Sequence, residues 1–109
     1  MRVVAGTAKG VRLAPAPRGI RPVSDMAREG VFSSLGELVR GARVLDLYAG
    51  TGAMAIEALS RGAEHAVLVE RDRAALRTIR ENVARARVVD AAEIVASDVG
   101  SFLTTDDKP

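Results

Sequence analysis

The chain has 109 residues, of which 48% are apolar and 28% charged, and its formal net charge is +2. One globular domain at most fits this length, and the composition argues against a disordered or fibrous chain. There is no cysteine, which excludes disulfides and thiolate chemistry, and the single histidine, His65, cannot form a metal site alone. Because no stretch approaches the roughly 18 apolar residues of a membrane span, and no apolar targeting region opens the chain, we expect a cytoplasmic protein without membrane or metal partners.

Residues 1–23 form a segment that we call the basic arm. It has no acid and carries the basic side chains Arg2, Lys9, Arg12, Arg18 and Arg21. Two short apolar runs predict a β-hairpin with Lys9 near its tip, and the prolines that follow predict an extended linker. Basic side chains contact phosphates without a sequence match, so the arm indicates a nucleic-acid partner, although it has no aromatic residue on which a base could stack. The alternative is a solvated basic tail.

A helix is predicted to begin at Ser24 or Asp25, because both are good N-caps, and to end at Gly41. It would present one apolar stripe. The residues of that stripe are Ala27, Val31, Phe32, Leu35, Leu38 and Val39.

Residues 44–53 are the centre of the predicted fold. An apolar run predicts a short strand buried on both faces, and Asp46 lies inside it, where a carboxylate is costly unless a partner meets it. Gly50 and Gly52 follow the strand and permit both a tight turn and close approach of a ligand to the backbone. A helix predicted from Ala53 would point its free N–H groups at an anionic part of that ligand.

The remaining pattern repeats strand and helix. Residues 66–69 predict a second strand ending at Glu70, Asp72 predicts the cap of the next helix, and residues 94–96 predict a third strand before Asp98. Alternating strands and helices indicate an α/β fold with a parallel sheet and a ligand beyond the carboxyl ends of the strands. The acids Asp46, Glu70 and Asp98 all fall at those ends.

Two cofactors fit this pattern. Residues 50–55 match G-x-G-x-x-A, and Glu70 lies where a dinucleotide fold places its ribose-binding acid, which would suit an NAD(P)-dependent oxidoreductase. However, Asp46 would face the pyrophosphate unfavourably. S-adenosylmethionine suits the acid better, because its ammonium would meet Asp46, its ribose Glu70, and its adenine Asp98 and the Val99 N–H. Each acid alone could also be an ordinary strand-end or cap residue.

The sequence from Arg21 to Leu35, together with Val-Leu-Asp-Leu-Tyr-Ala-Gly-Thr-Gly at residues 44–52 and Glu-Ala-Leu-Ser-Arg-Gly at 57–62, resembles the RsmD family of bacterial 16S ribosomal RNA guanine-N2 methyltransferases. The resemblance covers nearly the whole chain. It implies a Rossmann-like class I methyltransferase fold, here with its first three strands, over residues 24–109, and ribosomal RNA as the partner of the basic arm. Met26 and Ser33 depart from the family pattern, which usually has a basic residue and Asn there.

The resemblance also implies the site. Its cofactor-binding positions would be Asp46, Ala49, Gly50, Gly52, Glu70, Asp98 and Val99, with Ser24 and Arg28 closing over the methionine end. The family's amine-binding motif, Asp or Asn followed by Pro-Pro and an aromatic residue, does not occur in these 109 residues. We therefore expect a portion of a methyltransferase that is inactive alone. A non-catalytic RNA-binding or nucleotide-binding module is the alternative.

Overall fold

The structure, a computed structural model, describes residues 1–19 and 23–104. Its α-helices are α1 (Asp25–Leu35), α2 (Ala53–Ser60), α3 (Arg73–Arg85) and α4 (Val99–Thr104), and its strands are β1 (Arg43–Asp46), β2 (His65–Glu70) and β3 (Ala92–Ala96). Two short 3₁₀ helices, Gly36–Val39 and Val89–Ala91, precede β1 and β3. No described helix is both long enough and apolar enough to cross a membrane.

The strands form one parallel sheet in the order β1-β2-β3. Val44 of β1 pairs with Ala66 of β2, which pairs with Ala92 of β3. The predicted α/β fold and its order of strands and helices are confirmed. Helix α4 was not predicted, and β3 begins two residues before its predicted start.

The expectation that the first strand is buried on both faces is wrong. Within the described sheet β1 is an edge strand that pairs with β2 alone. Leu45 is 52% exposed and Tyr48, just beyond the strand, is 80% exposed. The apolar run therefore leaves one strand edge and much of one face open.

Helix α1 begins where the sequence indicates, because the Ser24 side chain accepts a hydrogen bond from the Ala27 N–H at 3.0 Å. The predicted end at Gly41 is wrong. Gly36 takes a φ of 54° and ends the helix, and a 3₁₀ turn follows. Of the predicted apolar stripe, Phe32 and Val39 are buried, and the other members are exposed.

The basic arm packs against α2 and α3. Its hairpin is short, with one antiparallel bridge between Arg2 and Arg12 and flanking main-chain bonds such as the Val3 N–H to the Val11 oxygen at 3.0 Å. Val3, Ala8 and Leu13 are buried in the same apolar cluster as the core of the sheet. Arm and sheet thus share one core, and a division of the chain at residue 23 stays a prediction.

The turn of the hairpin lies against the carboxyl end of α2. The Thr7 N–H donates to the Ser60 carbonyl at 2.8 Å, and the Ser60 hydroxyl accepts from the Ala8 N–H at 2.9 Å and donates to the Ala5 oxygen at 2.6 Å. A Cβ on Gly6 would lie 1.9 Å from the Ser60 oxygen. Glycine at position 6 is therefore required for this contact.

A buried carboxylate joins the arm to both α1 and α2. Glu57 Oε1 accepts from the Val4 N–H at 2.9 Å and from Arg28 Nε at 3.1 Å. Its Oε2 accepts from the Ala5 N–H at 3.0 Å and from Arg61 Nε at 2.7 Å. The side chains of Glu57 and Arg28 are fully buried, and each charge is offset by the other and by one further ion pair, Glu57 with Arg61 and Arg28 with Asp25.

Candidate functional site

The turn after β1, residues 49–52, lies at the carboxyl end of the sheet, and we call it the glycine turn. Gly50 and Gly52 have φ values of 59° and 84°, which favour glycine. The Ala49 N–H donates to the Val69 oxygen of β2 at 3.1 Å, and the Gly52 N–H donates to the Ala49 oxygen at 2.7 Å. The Thr51 hydroxyl accepts from the Ala53 N–H at 3.2 Å at the start of α2. The predicted turn from strand to helix is confirmed.

Glu70 connects this turn to the next one. Its Oε1 accepts from the Gly50 N–H at 2.9 Å, and its Oε2 accepts from the N–H groups of Arg71 and Asp72 at 3.1 and 3.0 Å. A carboxylate offers about four lone-pair positions, so three main-chain donors leave capacity for a ligand. Glu70 therefore braces two turns, and its predicted role toward a ribose stays a prediction.

Asp46 ends β1 beside the glycine turn. Its Oδ1 accepts from the Tyr48 N–H at 3.2 Å, and it forms no ion pair with a basic residue that the structure describes. Burial raises the pKa of Asp46, the Tyr48 N–H opposes this shift, and the negative charge of Glu70 raises the pKa further. The two acids thus make this end of the sheet negatively charged. At Asp46, no basic residue in the described part of the chain offsets that charge.

Asp98 follows β3 and caps α4. Its two oxygens accept from the Ser101 N–H at 2.7 Å and from the Ser101 hydroxyl at 3.1 Å. These hydrogen bonds, together with the positive charge of Arg71, lower the pKa of Asp98. The cap is the alternative that the sequence left open for this acid, and a role toward an adenine stays a prediction.

Two adjoining cavities bring most of the predicted positions together. A recess of about 70 Å³ lies over the glycine turn and is lined by Val23, Asp46, Tyr48, Ala49, Gly50, Thr51, Ala53 and Met54. A larger cavity of about 380 Å³ is lined by Leu47, Tyr48, Glu70, Arg71, Ser97, Asp98, Val99 and Gly100. Tyr48 borders both, and the volume of the larger cavity is in the range of small-molecule sites. Gly52, the last residue of the turn, is buried and lines neither cavity.

Ser24 and Arg28 do not line either cavity. Ser24 caps α1, and Arg28 is buried, with its Nη2 donating to the Arg2 carbonyl and to Asp25 Oδ1. Its Nη1 has no hydrogen-bond partner in the described part of the chain. Arg28 therefore makes contacts that hold the basic arm in place. Closure of Ser24 and Arg28 over a cofactor stays a prediction.

The basic side chains of the arm reach solvent. Arg2, Lys9, Arg12 and Arg18 are exposed, whereas Arg21 lies outside the described residues. Arg85 of α3 joins this surface, because its Nη1 donates to the Arg12 oxygen at 3.3 Å. The hairpin turn lies at the far end of α2 from the glycine turn, a separation of about 12 Å for a helix of this length.

The sequence-based predictions did not include two buried polar residues that hold the segments around the two cavities. Glu57 is the one charged residue in the apolar sequence of α2, a signal that it has a buried partner. Asn82 of α3 is fully buried and bonds to both the arm and the glycine turn. Asn82 lies three residues after Ile79 and seven after Ala75, so helical spacing places it on the apolar face of α3, and this was the signal that could have identified it.

An apolar groove of about 560 Å³ runs along the open edge of β1. It lies between α1, β1 and α2 and is lined by Val31, Phe32, Leu35, Leu38, Val39, Ala42, Val44, Leu45, Asp46, Leu47, Tyr48, Met54, Ala55 and Ala58. Three exposed members of the predicted apolar stripe, Val31, Leu35 and Leu38, therefore face the same opening as the unpaired strand.

Taken together, the parallel sheet, the glycine turn after β1 and the acids at the strand ends define part of a Rossmann-like class I methyltransferase fold. A solved structure of the Escherichia coli protein yhhF, named provisionally as a methyltransferase, matches with a TM-score of 0.83 at 36% sequence identity. That match covers 95% of this chain and 56% of the other.

A sequence model of the family described as "Conserved hypothetical protein 95" matches residues 1–109, and the chain belongs to this family. Ribosomal RNA small subunit methyltransferase D of Escherichia coli is 37% identical over 110 residues, which cover 100% of this chain and 55% of that protein. Bacillus subtilis YlbH, named provisionally as an rRNA methyltransferase, is 40% identical over 99 residues, covering 90% and 54% of the two chains. The expected RsmD family is confirmed, and the chain spans about half the length of these curated relatives.

Replacing Asp46 by Asn is expected to stabilise the unliganded protein near neutral pH. Because the folded chain raises the pKa of Asp46, the native state binds this proton more tightly than the unfolded chain, and stability falls as the pH rises through the raised pKa. Asn removes that loss, so the gain in melting temperature should shrink as the pH is lowered. Thermal unfolding from acid to neutral pH measures it, with Asp90→Asn on the exposed 3₁₀ turn as the control. A variant less stable than the wild type at neutral pH would contradict the assignment.

Proposed function

We propose that these residues form the S-adenosylmethionine-binding half of an enzyme that methylates the exocyclic N2 of a guanine in 16S ribosomal RNA. The observation that carries the proposal is Asp46, a partly buried acid beside a second acid, with its pKa raised and no ion pair to a described basic residue. A bound ammonium group offsets the cost of that buried charge. The amino-acid end of S-adenosylmethionine carries such a group.

The two cavities suit the two ends of this cofactor. In the small recess, Asp46 would accept from the ammonium group, and the start of α2 would lie near the carboxylate. In the larger cavity, Glu70 would accept from the ribose hydroxyls through its remaining lone pairs, with Asp98 and the Val99 N–H toward the adenine. Ala49 and Gly50 line the recess and would let the cofactor approach the backbone, whereas Gly52, where a Cβ would meet Ile56, Leu68 and Ile79, would contribute through the shape of the turn.

A dinucleotide suits the same surface less well. Its pyrophosphate would lie over the glycine turn, close to Asp46 and Glu70. Asp46 would repel it and would gain no cation, although Glu70 could bind the ribose as it would in a dinucleotide fold. The charge of the cleft therefore favours a ligand whose cationic group lies near β1.

The contribution of this chain to catalysis would be positional. When bound, the cofactor supplies an electrophilic methyl group, and the residues of the two cavities would fix its orientation toward the guanine amine. The amine-binding motif is absent from these 109 residues. In a longer polypeptide that carries this motif, we propose that the motif lies on a further strand beside β1, which would cover the unpaired edge and the apolar groove.

The basic arm would hold the ribosomal RNA. Arg2, Lys9, Arg12 and Arg18 are exposed, and Arg85 of α3 lies against the same hairpin. Phosphate contacts from these side chains would position the RNA without reading its sequence. The name of the Escherichia coli relative, a small-subunit ribosomal RNA methyltransferase, supports this class of partner.

Calorimetry of the longest natural polypeptide that contains these residues tests the cofactor. We expect binding of S-adenosylhomocysteine and none of NAD. Glu70→Ala should weaken that binding by about 1 to 3 kcal/mol, because buried hydroxyls of the ligand lose their acceptor. Glu93→Ala, on the exposed side of β3, is the control, and thermal unfolding separates ligand loss from loosening of the turn at Gly50. Binding of NAD in place of S-adenosylhomocysteine would refute the proposed cofactor.

Salt titration tests the RNA surface. Replacing both Lys9 and Arg12 by Ala should weaken binding to small-subunit ribosomal RNA and lower the slope of log K against log salt by about 1 for each lost phosphate contact. Affinity for S-adenosylhomocysteine should not change. The matched control replaces Arg77 and Arg80, two exposed arginines in the middle of α3. An unchanged salt slope for the arm variant would leave the arm without a role in RNA binding.

A further inference from the structure

Asn82 of α3 lies between the end of the basic arm and the glycine turn. Its side chain is fully buried. Oδ1 accepts from the Ala14 N–H at 2.6 Å, and Nδ2 donates to the Ala14 oxygen at 3.1 Å and to the Thr51 oxygen at 2.9 Å. One carboxamide therefore holds two segments that are far apart in the sequence.

The segment that most needs this support is the glycine turn. Thr51 lies between two glycines with positive φ, and glycine has little conformational preference of its own. The Thr51 carbonyl is fixed by Asn82, while its hydroxyl accepts from the Ala53 N–H at 3.2 Å and lies 3.9 Å from the sulfur of Met1. Both ends of the hairpin, Met1 and Ala14, thus meet at the back of the turn whose front faces the proposed cofactor.

The arm has a second attachment that does not touch the turn. At the opposite end of α2, the Ser60 hydroxyl bonds to Ala5 and Ala8. Loss of either attachment loosens the arm, but loss of Asn82 also frees the Thr51 carbonyl. This difference separates a role in positioning the turn from a role in stability alone.

We propose that Asn82 is a positioning residue that sets the glycine turn for cofactor binding and couples that turn to the basic arm; the proposal rests on the proposed S-adenosylmethionine site. Both donors of its amide are used, so a shift of the turn leaves a buried polar group unpaired. Such coupling is reciprocal. A cofactor that orders the turn also stabilises the arm, and RNA that orders the arm strengthens cofactor binding.

The test compares Asn82→Ala with Ser60→Ala in the longest natural polypeptide that contains these residues. Each variant removes a buried polar group that holds the arm. The melting temperatures of both variants are therefore measured first, so that their losses of stability can be compared. We expect Asn82→Ala to raise the dissociation constant for S-adenosylhomocysteine on the order of tenfold, and Ser60→Ala to leave it within about twofold. In a methylation assay, Asn82→Ala should raise KM for the cofactor and keep kcat at saturation. Equal effects of the two variants on cofactor affinity would overturn the proposal.

Amide hydrogen exchange provides a readout that does not need the cofactor. Asn82→Ala should speed exchange of the Gly52 and Ala53 N–H groups, whereas Ser60→Ala should speed exchange of Thr7 and Ala8. Unchanged exchange at Gly52 and Ala53 would also overturn the proposal. If the wild type bound no S-adenosylhomocysteine, the proposed cofactor would fail, while the exchange data would still decide whether Asn82 holds the turn.

Because Asn82→Ala could unfold the chain, Asn82→Asp is the second variant. It keeps the acceptor for the Ala14 N–H and removes the donors, and near neutral pH its carboxylate faces the Thr51 oxygen. We expect its cofactor affinity relative to the wild type to improve as the pH falls, since the protonated carboxyl group can donate again. A ratio of affinities that does not vary with pH would contradict a role through the Thr51 carbonyl.

Discussion

The rest of this site depends on one carboxylate, that of Asp46. It lies at the end of an edge strand, is partly shielded from water, and has a second carboxylate beside it. Burial and the charge of Glu70 raise the pKa of Asp46, and no described basic residue forms an ion pair with it. Such an arrangement costs stability in the unliganded chain. A ligand with a cationic group would recover this cost on binding, so under the proposed function the charge of the cleft would select the class of cofactor.

The scaffold keeps this charge in place through main-chain contacts. Glu70 ties the glycine turn to the start of α3 through three N–H groups, and Asn82 holds the same turn from behind. The basic arm, which would meet RNA, packs on the far side of α2 through the buried Glu57. The glycine turn and the basic arm therefore both pack against the helices on one side of the sheet. A coupling between them does not require the movement of a domain.

The sequence predicted those features that depend on local chemistry. Caps at Ser24 and Asp72, the glycine turn, and the position of Glu70 at the end of β2 follow from short-range patterns, and parallel strands bring their ends together. Contacts between distant segments could not be predicted, since Arg28 and Glu57, or Ala14 and Asn82, share no local signal. The burial expected on both faces of β1 also depends on neighbours that a strand pattern does not specify. Helix α4 was missed although its Asp-x-x-Ser cap was visible.

We propose that the cost of the charge on Asp46 is offset by the ammonium group of the cofactor. The most direct measurement is the affinity of S-adenosylhomocysteine and of its analogue without the amino group, each for the wild type and for Asp46→Asn. We expect loss of the amino group to weaken binding to the wild type by about 1.5 to 3 kcal/mol, as for a hydrogen bond between charged groups, and to have little effect on the variant. An equal loss in both proteins would contradict it.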